Sequence, residues 1–525
     1  MTTHERWPDP QHPAPADSGC GVGTVYLVGA GPGDPGLLTL RGLACLQRAD
    51  VVLYDYLVNP RLLQHLRPGA DTICLGQHGG LVRQWTQEEI NIELVSRARA
   101  GQIVVRLKGG DPAVFGRAAE ECEALVAAGI PFEVVPGVTA ALAAASYAGI
   151  PLTHRELSSA VAFVTGQEDA DKNSSFLDYA ALARFPGTLV IYMGVTTVQR
   201  WATALLQAGK PADTPAAIVR RCSLPDQQVI QCTLGELSHR LAPASRIRPP
   251  VVVILGPVVP LSERLSWFAR RPLWGQRILV TRPAEQGDEL AQPLQDLGAD
   301  VIVRPAIELG PPDDWTPVDA AARQLADRSA PATDWLVFSS SNGVRSFLDR
   351  LAVLGLDLRI LGRTRLAAIG PGTARELARY RLQADLQPTE FRAESLAEAL
   401  AEQAEGRRFL LIRASRGRDV LPRRLAEAGG VVTQVVAYSS RDVAAAEPDI
   451  LQRLADGQID WVTVTSSAIA RSLVRLYGDA LHRTRLVSIS PITSETLREC
   501  GFSPAAEARE YTIPGLIQAL RQVVG

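Results

Sequence analysis

The stretch Val25–Asp34, reading V-Y-L-V-G-A-G-P-G-D, constrains this chain more than any other ten residues. Four apolar residues run into Gly29, and glycines follow at alternate positions 29, 31 and 33. Asp34-Pro35 then opens a run that places Leu37, Leu40, Leu43 and Ala44 on one helical face. The pattern is a strand, a turn of bare backbone and a helix start. Asp34 is suited to cap the unpaired N–H groups of the first turn, and Pro35 suits the first helical position, where an N–H would have no partner. Residues without side chains let a ligand approach the main chain, although a tight strand-to-helix turn without a ligand would use the same glycines. A dinucleotide fingerprint fits poorly, because G-A-G-P-G-D lacks the third glycine of G-x-G-x-x-G.

Val51–Tyr54, Thr72–Leu75, Ile103–Leu107 and Phe132–Val135 are strand-like, and the segments between them are helix-like. One of these, near Gln87–Ala100, opens with a capping box at Thr86 and Glu89. Such alternation predicts a parallel α/β sheet, whose chemistry collects at the carboxyl ends of the strands. Gly29–Gly33, Asp55, Leu107–Pro112 (L-K-G-G-D-P) and Val135–Ala140 (V-P-G-V-T-A) all fall there. Asp55 alone could merely cap a turn, but three glycine turns in one sheet make a cradle for a polar ligand.

The chain has 525 residues, enough for roughly three to four domains. A net charge of −2 gives no general attraction to nucleic acid or an anionic membrane. Lysine occurs only at 108, 172 and 210, so an anionic ligand would be held by local arginines. Seven scattered cysteines without a C-x-x-C pair speak against a metal cluster or a disulfide framework. Residues 1–22 are polar and Pro-rich with no apolar signal core, which predicts a disordered leader. The small-residue run Ala140–Leu152 is too short to span a bilayer. A soluble cytoplasmic protein is expected, with no metal, nucleic-acid or membrane partner.

From about Val25 to Phe268, the ordered motifs V-G-A-G-P-G-D-P, A-D-V-V-L-Y-D, V-R-L-K-G-G-D-P-x-x-F-G-R, V-P-G-V-T-A, G-I-P-L-T-H-R, V-T-G and Y-M-G resemble the uroporphyrinogen-III C-methyltransferases, a family of tetrapyrrole methylases. The resemblance implies two α/β domains, at 23–137 and 138–262, with S-adenosylmethionine in the cleft between them and S-adenosylhomocysteine as product. It also implies a homodimer formed through this half. Carried over by residue, cofactor contacts fall on Pro32, Gly109, Gly110, Asp111, Val114, Thr139, Ala140, Met193 and Cys222, and the proton acceptor falls on Asp55. Where the family has a lysine proton donor this chain has Gln77, with His78 beside it as an alternative donor. Cys222 replaces a usual glycine. Uroporphyrinogen carries eight carboxylates, for which Arg106, Arg117 and Arg155 are candidate partners.

After a linker at 263–275 a unit appears twice. Arg277–Arg282 pairs with Arg408–Arg413, Trp335–Ser341 with Trp461–Ser467, and Ala368–Thr373 with Ser488–Thr493. The duplication predicts two α/β lobes facing across a cleft. Ser/Thr-rich strand ends suit carboxylates, or simply cap the helices that follow. T-R-P, F-S-S-S-N-G-V-R-S-F, A-I-G-P-G-T-A, A-E-S-L, V-x-x-Y and T-S-S-A resemble uroporphyrinogen-III synthase over about Gln276–Gly525. That resemblance implies discontinuous lobes, one of 276–309 with 439–525 and the other of 310–438. It implies cyclisation of hydroxymethylbilane to uroporphyrinogen III with loss of water, Tyr438 as the acid, and substrate contacts at Arg282, Ser339, Ser340, Thr373, Ser466 and Thr493.

The expected whole is a bifunctional enzyme whose second half makes uroporphyrinogen III and whose first half methylates it twice to precorrin-2. With no dinucleotide domain before Val25, the oxidation and iron-chelation activities of larger siroheme synthases are not expected. The competing reading is a methylase of this fold acting on another substrate, with a C-terminal half that binds tetrapyrrole without turnover.

Overall fold

The computed structural model describes residues 21–76, 85–168, 176–417 and 419–525, with the side chain of Glu285 left aside. The leader at 1–22 lies almost wholly outside the described residues, as do Gln77 and His78. The chain forms two compact units, one ending at Arg271 and the other beginning at Pro272.

The first unit opens with β1 (Val25–Gly29), β2 (Val51–Tyr54), β3 (Asp71–Cys74), β4 (Val104–Lys108) and β5 (Phe132–Val135), a parallel sheet in the order β3-β2-β4-β1-β5. β1 and β4 are buried along their whole length, as befits parallel strands covered on both faces. Cys45 and Leu46, from the helix after β1, pack on the face that carries Val28 and Val105. Leu125, from the helix after β4, packs on the face that carries Leu27 and Val104. The two connections therefore leave on opposite sides, and a crevice opens between the carboxyl ends of β1 and β4.

The expected helix start at Asp34-Pro35 is a single 3₁₀ turn, Pro35–Leu37, capped by Asp34 through Gly36 N at 2.8 Å. The α-helix begins at Leu40 and is capped by Thr39 instead. Leu40 is consequently 86% exposed, and Gly42, Cys45 and Leu46 make the buried face. Asp34 has other partners: its carboxylate accepts from Tyr147 Oη at 2.7 Å, and its N–H donates to Ser223 Oγ at 3.0 Å. These bonds tie the glycine turn to the second domain, and the helix starts one turn later.

That domain contains β6 (Val161–Thr165), β7 (Thr188–Tyr192), β8 (Pro215–Arg220), β9 (Gln228–Thr233) and β10 (Val251–Leu255), in the order β6-β7-β10-β8-β9 with only β6 and β7 parallel. Helix Ala140–Ala148 is built of small residues, so its Ala141, Ala144, Ala145 and Ala148 pack closely under Val190, Tyr192, Val219 and Ile254. Its first turn lies beside the glycine turn that follows β4.

In the second unit β11 (Arg277–Val280) and β12 (Asp300–Val303) begin one sheet. The chain then builds β13 (Ile307–Gly310), β14 (Trp335–Phe338), β15 (Arg365–Ala368), β16 (Arg408–Ala414) and β17 (Val431–Asp442) in another. It returns to the first sheet with β18 (Trp461–Val464), β19 (Arg485–Ser488) and β20 (Ala506–Glu507). The orders are β12-β11-β18-β19-β20 and β13-β17-β16-β14-β15. Each repeated pair from the sequence occupies matching places: β11 with β16, β18 with β14, β19 with β15. The change of sheet falls before Ile307 and after Asp442, outside the 310–438 bounds, because β13 pairs antiparallel with the far end of β17. Among the described residues no helix is long and apolar enough to cross a membrane.

Candidate active sites

In the first unit the three glycine turns meet. Gly31 N donates to Gly110 O at 3.2 Å and Gly110 N to Gly31 O at 2.8 Å. A Cβ on Gly137 would stand 2.7 Å from Gly29 Cα, so neither backbone leaves room for a side chain. Asp111 closes the arrangement, its Oδ2 accepting from Gly137 N at 2.9 Å and its Oδ1 from Ala113 N at 2.8 Å. Thr139 Oγ1 lies 2.6 Å from Tyr192 Oη, which accepts from Ala141 N at 2.8 Å. Beyond Tyr192, Met193 is held at φ 51° and is 48% exposed. Phe115, at φ 57°, leans over the Tyr192 ring at 5.0 Å. Val114 and Ala140 pack on the same core as Cys222.

Cys222 turns its thiol inward, 3.8 Å from Ala140 O, and burial pushes the thiol up to about 12. Its carbonyl oxygen would lie 3.3 Å from a Cβ on Gly33. The backbone at Cys222 thus borders the first glycine turn, next to Pro32. Of the residues expected to hold the cofactor, Gly110, Asp111, Thr139 and Ala140 lie where the turns meet, and Cys222 borders Gly33.

Asp55 stands at the end of β2, its N–H on Leu107 O at 3.3 Å. Its Oδ1 takes a hydrogen bond from Arg106 Nη2 at 2.6 Å. Arg106 is 3% exposed and also donates through Nε to Glu121 Oε1 at 3.1 Å. Lys108, equally buried, reaches the same Glu121 oxygen at 2.7 Å. Burial and the neighbouring Arg106 lower the Lys108 ammonium from its ordinary value, against the pull of Glu121. The expectation of Arg106 as a substrate contact is corrected here: its guanidinium faces inward, engaged by Glu121 and Asp55, and it orients Asp55. Arg117 is exposed and pairs with Glu120 at 2.7 Å, and Arg155 is exposed.

In the second unit Tyr438 is buried, with its Oη 2.9 Å from Ser340 Oγ. Burial raises its phenol above the ordinary value, while the Ser340 and Asn342 side chains act in the opposite direction. Arg282 is largely buried, its Nη2 3.1 Å from both Gln286 Oε1 and Glu289 Oε2; its Nη1 is covered and has no partner among the described residues. Gln286 Nε2 donates to Asn342 Oδ1 at 2.6 Å, joining the two lobes. Sequence reasoning missed Gln286 and Asn342, although Asn342 lies inside S-S-S-N-G-V.

Ser340 and Ser466 each cap the following helix, accepting from Gly343 N at 3.1 Å and Ile469 N at 3.2 Å. Ser339 makes a long bond to Ile412 O at 3.4 Å. Thr373 and Thr493 are buried, so the expected contacts there find both residues covered by protein. A cavity of about 610 Å³ lined by Glu289, Arg375, Ile513, Ile517 and Arg521 meets this site only at Glu289.

Residues 24–238 match the family described as Tetrapyrrole (Corrin/Porphyrin) Methylases, and residues 288–518 match Uroporphyrinogen-III synthase HemD. A Porphyrin biosynthesis protein HemD of Ruminiclostridium josui is 34% identical over 505 residues, which cover 96% of this chain and 98% of that protein. A Siroheme synthase of Zymomonas mobilis is 51% identical over 249 residues, 47% of this chain and 52% of its own length. The chain spans about half the length of the siroheme synthases it matches. Among solved structures, the native Uroporphyrin III C-methyl transferase of Thermus thermophilus has 44% identity and a TM-score of 0.39, covering 46% of this chain and all of that one. Because the likeness to the Ruminiclostridium protein runs through both units and almost end to end, the chain belongs to the family of porphyrin-biosynthesis proteins that join a tetrapyrrole methylase to a uroporphyrinogen-III synthase.

Proposed function

We propose that the second unit converts hydroxymethylbilane to uroporphyrinogen III and that the first unit methylates this product twice, giving precorrin-2. The convergence of Gly29, Gly110 and Gly137 beside Thr139, Met193 and Cys222 carries the methylase part of this reading. Gly29 and Gly137 pack backbone to backbone, and Gly110 beside them has open space over its main chain, which suits a nucleoside lying close to the backbone. S-adenosylmethionine bound there would supply an electrophilic methyl.

The residues then have distinct tasks. Gly109, Gly110, Ala140 and the Cys222 backbone bind, while Asp111 holds the turns in register. Pro32, Val114 and Met193 border the crevice. Catalysis is chiefly alignment of a pyrrole carbon behind the methyl, and Asp55, aimed by Arg106, accepts the proton released when the ring is alkylated. Arg117 and Arg155, both exposed, are assigned to substrate carboxylates. In the second unit Tyr438 acts as the acid, and Arg282, Ser339, Ser340 and Ser466 border the bilane. A homodimer through the first unit fits edge strand β5, where Phe132 is 37% and Val134 40% exposed; light scattering of the isolated protein tests it.

Incubation with hydroxymethylbilane and S-adenosylmethionine tests the whole reading through product mass and absorption. Precorrin-2 is the expected product. Formation of the type-I isomer alone removes the synthase assignment, and methylation of RNA or protein in place of uroporphyrinogen removes the methylase substrate.

A further inference from the structure

The chain folds back on the first unit over the opening residues of the segment expected as a linker. A Cβ on Gly149, the residue that ends helix Ala140–Ala148, would stand 2.5 Å from Ser266 N, so the two backbones touch. Trp267 Nε1 donates to Ser146 O at 2.9 Å, satisfying a carbonyl in the last turn of that helix. Phe268, 3% exposed, sets its ring edge-on to Tyr147 with centroids 4.7 Å apart, and the Trp267 ring lies 5.4 Å from Tyr147. The Arg271 guanidinium covers the Trp267 and Phe268 rings at 4.6 and 4.4 Å. Residues 265–271 thus form a strap across the end of the helix, and the Tyr147 ring is what it grips.

Tyr147 carries that hold to the first glycine turn. An ionised carboxylate only accepts, so the 2.7 Å contact makes the Tyr147 hydroxyl the donor to Asp34 Oδ2. Burial and this bond raise the phenol above its ordinary value. From Asp34 a closed circuit of hydrogen bonds returns to the same tyrosine. Asp34 N donates to Ser223 Oγ at 3.0 Å, Ser223 N to Gln227 Oε1 at 2.9 Å, and Gln227 Nε2 to Tyr147 O at 3.1 Å. A backbone N–H at one end of the Gln227 amide and a backbone carbonyl at the other fix which way it faces. The circuit therefore pins Asp34, which directly follows Pro32 and Gly33 at the border of the crevice.

We propose that Tyr147, gripped by the strap at Trp267 and Phe268, is a positioning residue that holds the Gly31–Asp34 turn in the shape that admits S-adenosylmethionine. This rests on the methylase reading above and extends the cofactor site past residue 238, where the match to the methylase family ends. Tyr147 acts through Asp34 and not on the methyl group. A turn of glycines is free to take many shapes, and fixing it before the cofactor arrives removes an ordering cost from binding.

The experiment uses the full chain, S-adenosylhomocysteine as the calorimetric probe, and the variants Tyr147→Phe, Trp267→Leu and Tyr147→Phe/Trp267→Leu. Tyr147→Phe keeps the ring contacts and removes one oxygen, and Trp267 is 47% exposed, so both single variants keep the fold. Tyr147→Phe weakens S-adenosylhomocysteine about tenfold, the order expected of one hydrogen bond to a charged group. Trp267→Leu weakens it in the same direction and by less. In turnover the loss falls on KM for S-adenosylmethionine and not on kcat. In the Tyr147→Phe background Trp267→Leu has no further effect on affinity, because the strap acts through the phenol, yet it still lowers the unfolding midpoint. Unchanged affinity in either single variant, a Trp267→Leu loss that persists in full beside Tyr147→Phe, or a loss confined to kcat each overturns the proposal. An unsubstituted chain that does not bind S-adenosylhomocysteine overturns the methylase reading itself, before any variant is compared.

Discussion

Arg106 Nη2 reaches Asp55 Oδ1 at 2.6 Å from a position where the guanidinium is almost sealed from solvent, and the same side chain holds Glu121. The carboxylate assigned to proton transfer is therefore aimed by a buried cation that also holds a buried anion. Removing that cation leaves Asp55 without this partner and Glu121 with Lys108 as its one charged donor in place of two. Arg106→Met is expected to destabilise the first unit by about 3–5 kcal/mol, the usual result of breaking a buried pair from one side. A drop in the denaturant midpoint, measured together with lost methyl transfer, checks this.

Asp55→Asn keeps the shape of the site and removes the proton acceptor. Methylation of uroporphyrinogen is expected to fall by roughly 10²–10⁴-fold, with calorimetric binding of S-adenosylhomocysteine unchanged. An active Asn variant would remove Asp55 from the mechanism.

Two glycines of the crevice fail for different reasons. At Gly137 an added Cβ would meet Gly29 Cα at 2.7 Å, so Gly137→Ala forces two turns apart, with an overpacking cost of about 1–3 kcal/mol and loss of nucleoside binding. At Gly110 there is space, the nearest atom being 3.8 Å away, but φ is +71°, so Gly110→Ala costs about 1–2 kcal/mol in backbone strain alone. Binding of S-adenosylhomocysteine, measured beside unfolding midpoints, separates the two.

The buried Cys222 thiol is raised from 9.0 to about 12. A folded value above the unfolded one favours the protonated native state, so its contribution is complete below about pH 9 and is lost as pH rises towards 12. Unfolding free energies at pH 8 and pH 10.5 should differ less in Cys222→Ala than in the parent. An equal difference would contradict the burial argument.

Ser340 and Ser466 cap equivalent helices in the two lobes. Replacement of either by Ala is expected to cost about 1 kcal/mol. Only Ser340→Ala should also slow cyclisation, because only Ser340 contacts Tyr438. Equal effects on turnover would show that capping, not the phenol contact, is what matters.

Much of this was legible in the chain. The strands of the first sheet are short apolar runs bounded by turn residues, and the duplicated segments of the second unit land on equivalent strands. The helix start at Asp34 was misread because two capping residues compete, and Asp34 is drawn away by Tyr147 and Ser223, more than a hundred residues distant. Arg106 reads as a substrate contact because its partner Glu121 comes from the next helix, and charge complementarity inside a sheet leaves no local pattern. Gln286 and Asn342 were missed for a similar reason: their bond joins separate lobes, and neither residue type announces such a role.

The double crossing between sheets in the second unit orders events on the ribosome. β13 through β17 form one continuous segment, whereas β11, already paired with β12, emerges roughly 180 residues before its other neighbour β18. At translation rates of ~5–20 residues per second the open edge of that pair waits roughly 10–40 s to be covered. The middle lobe is thus complete while the outer one is still a nascent fragment, and a chain cut short after Asp442 would carry one finished lobe and a two-stranded ribbon with an open edge.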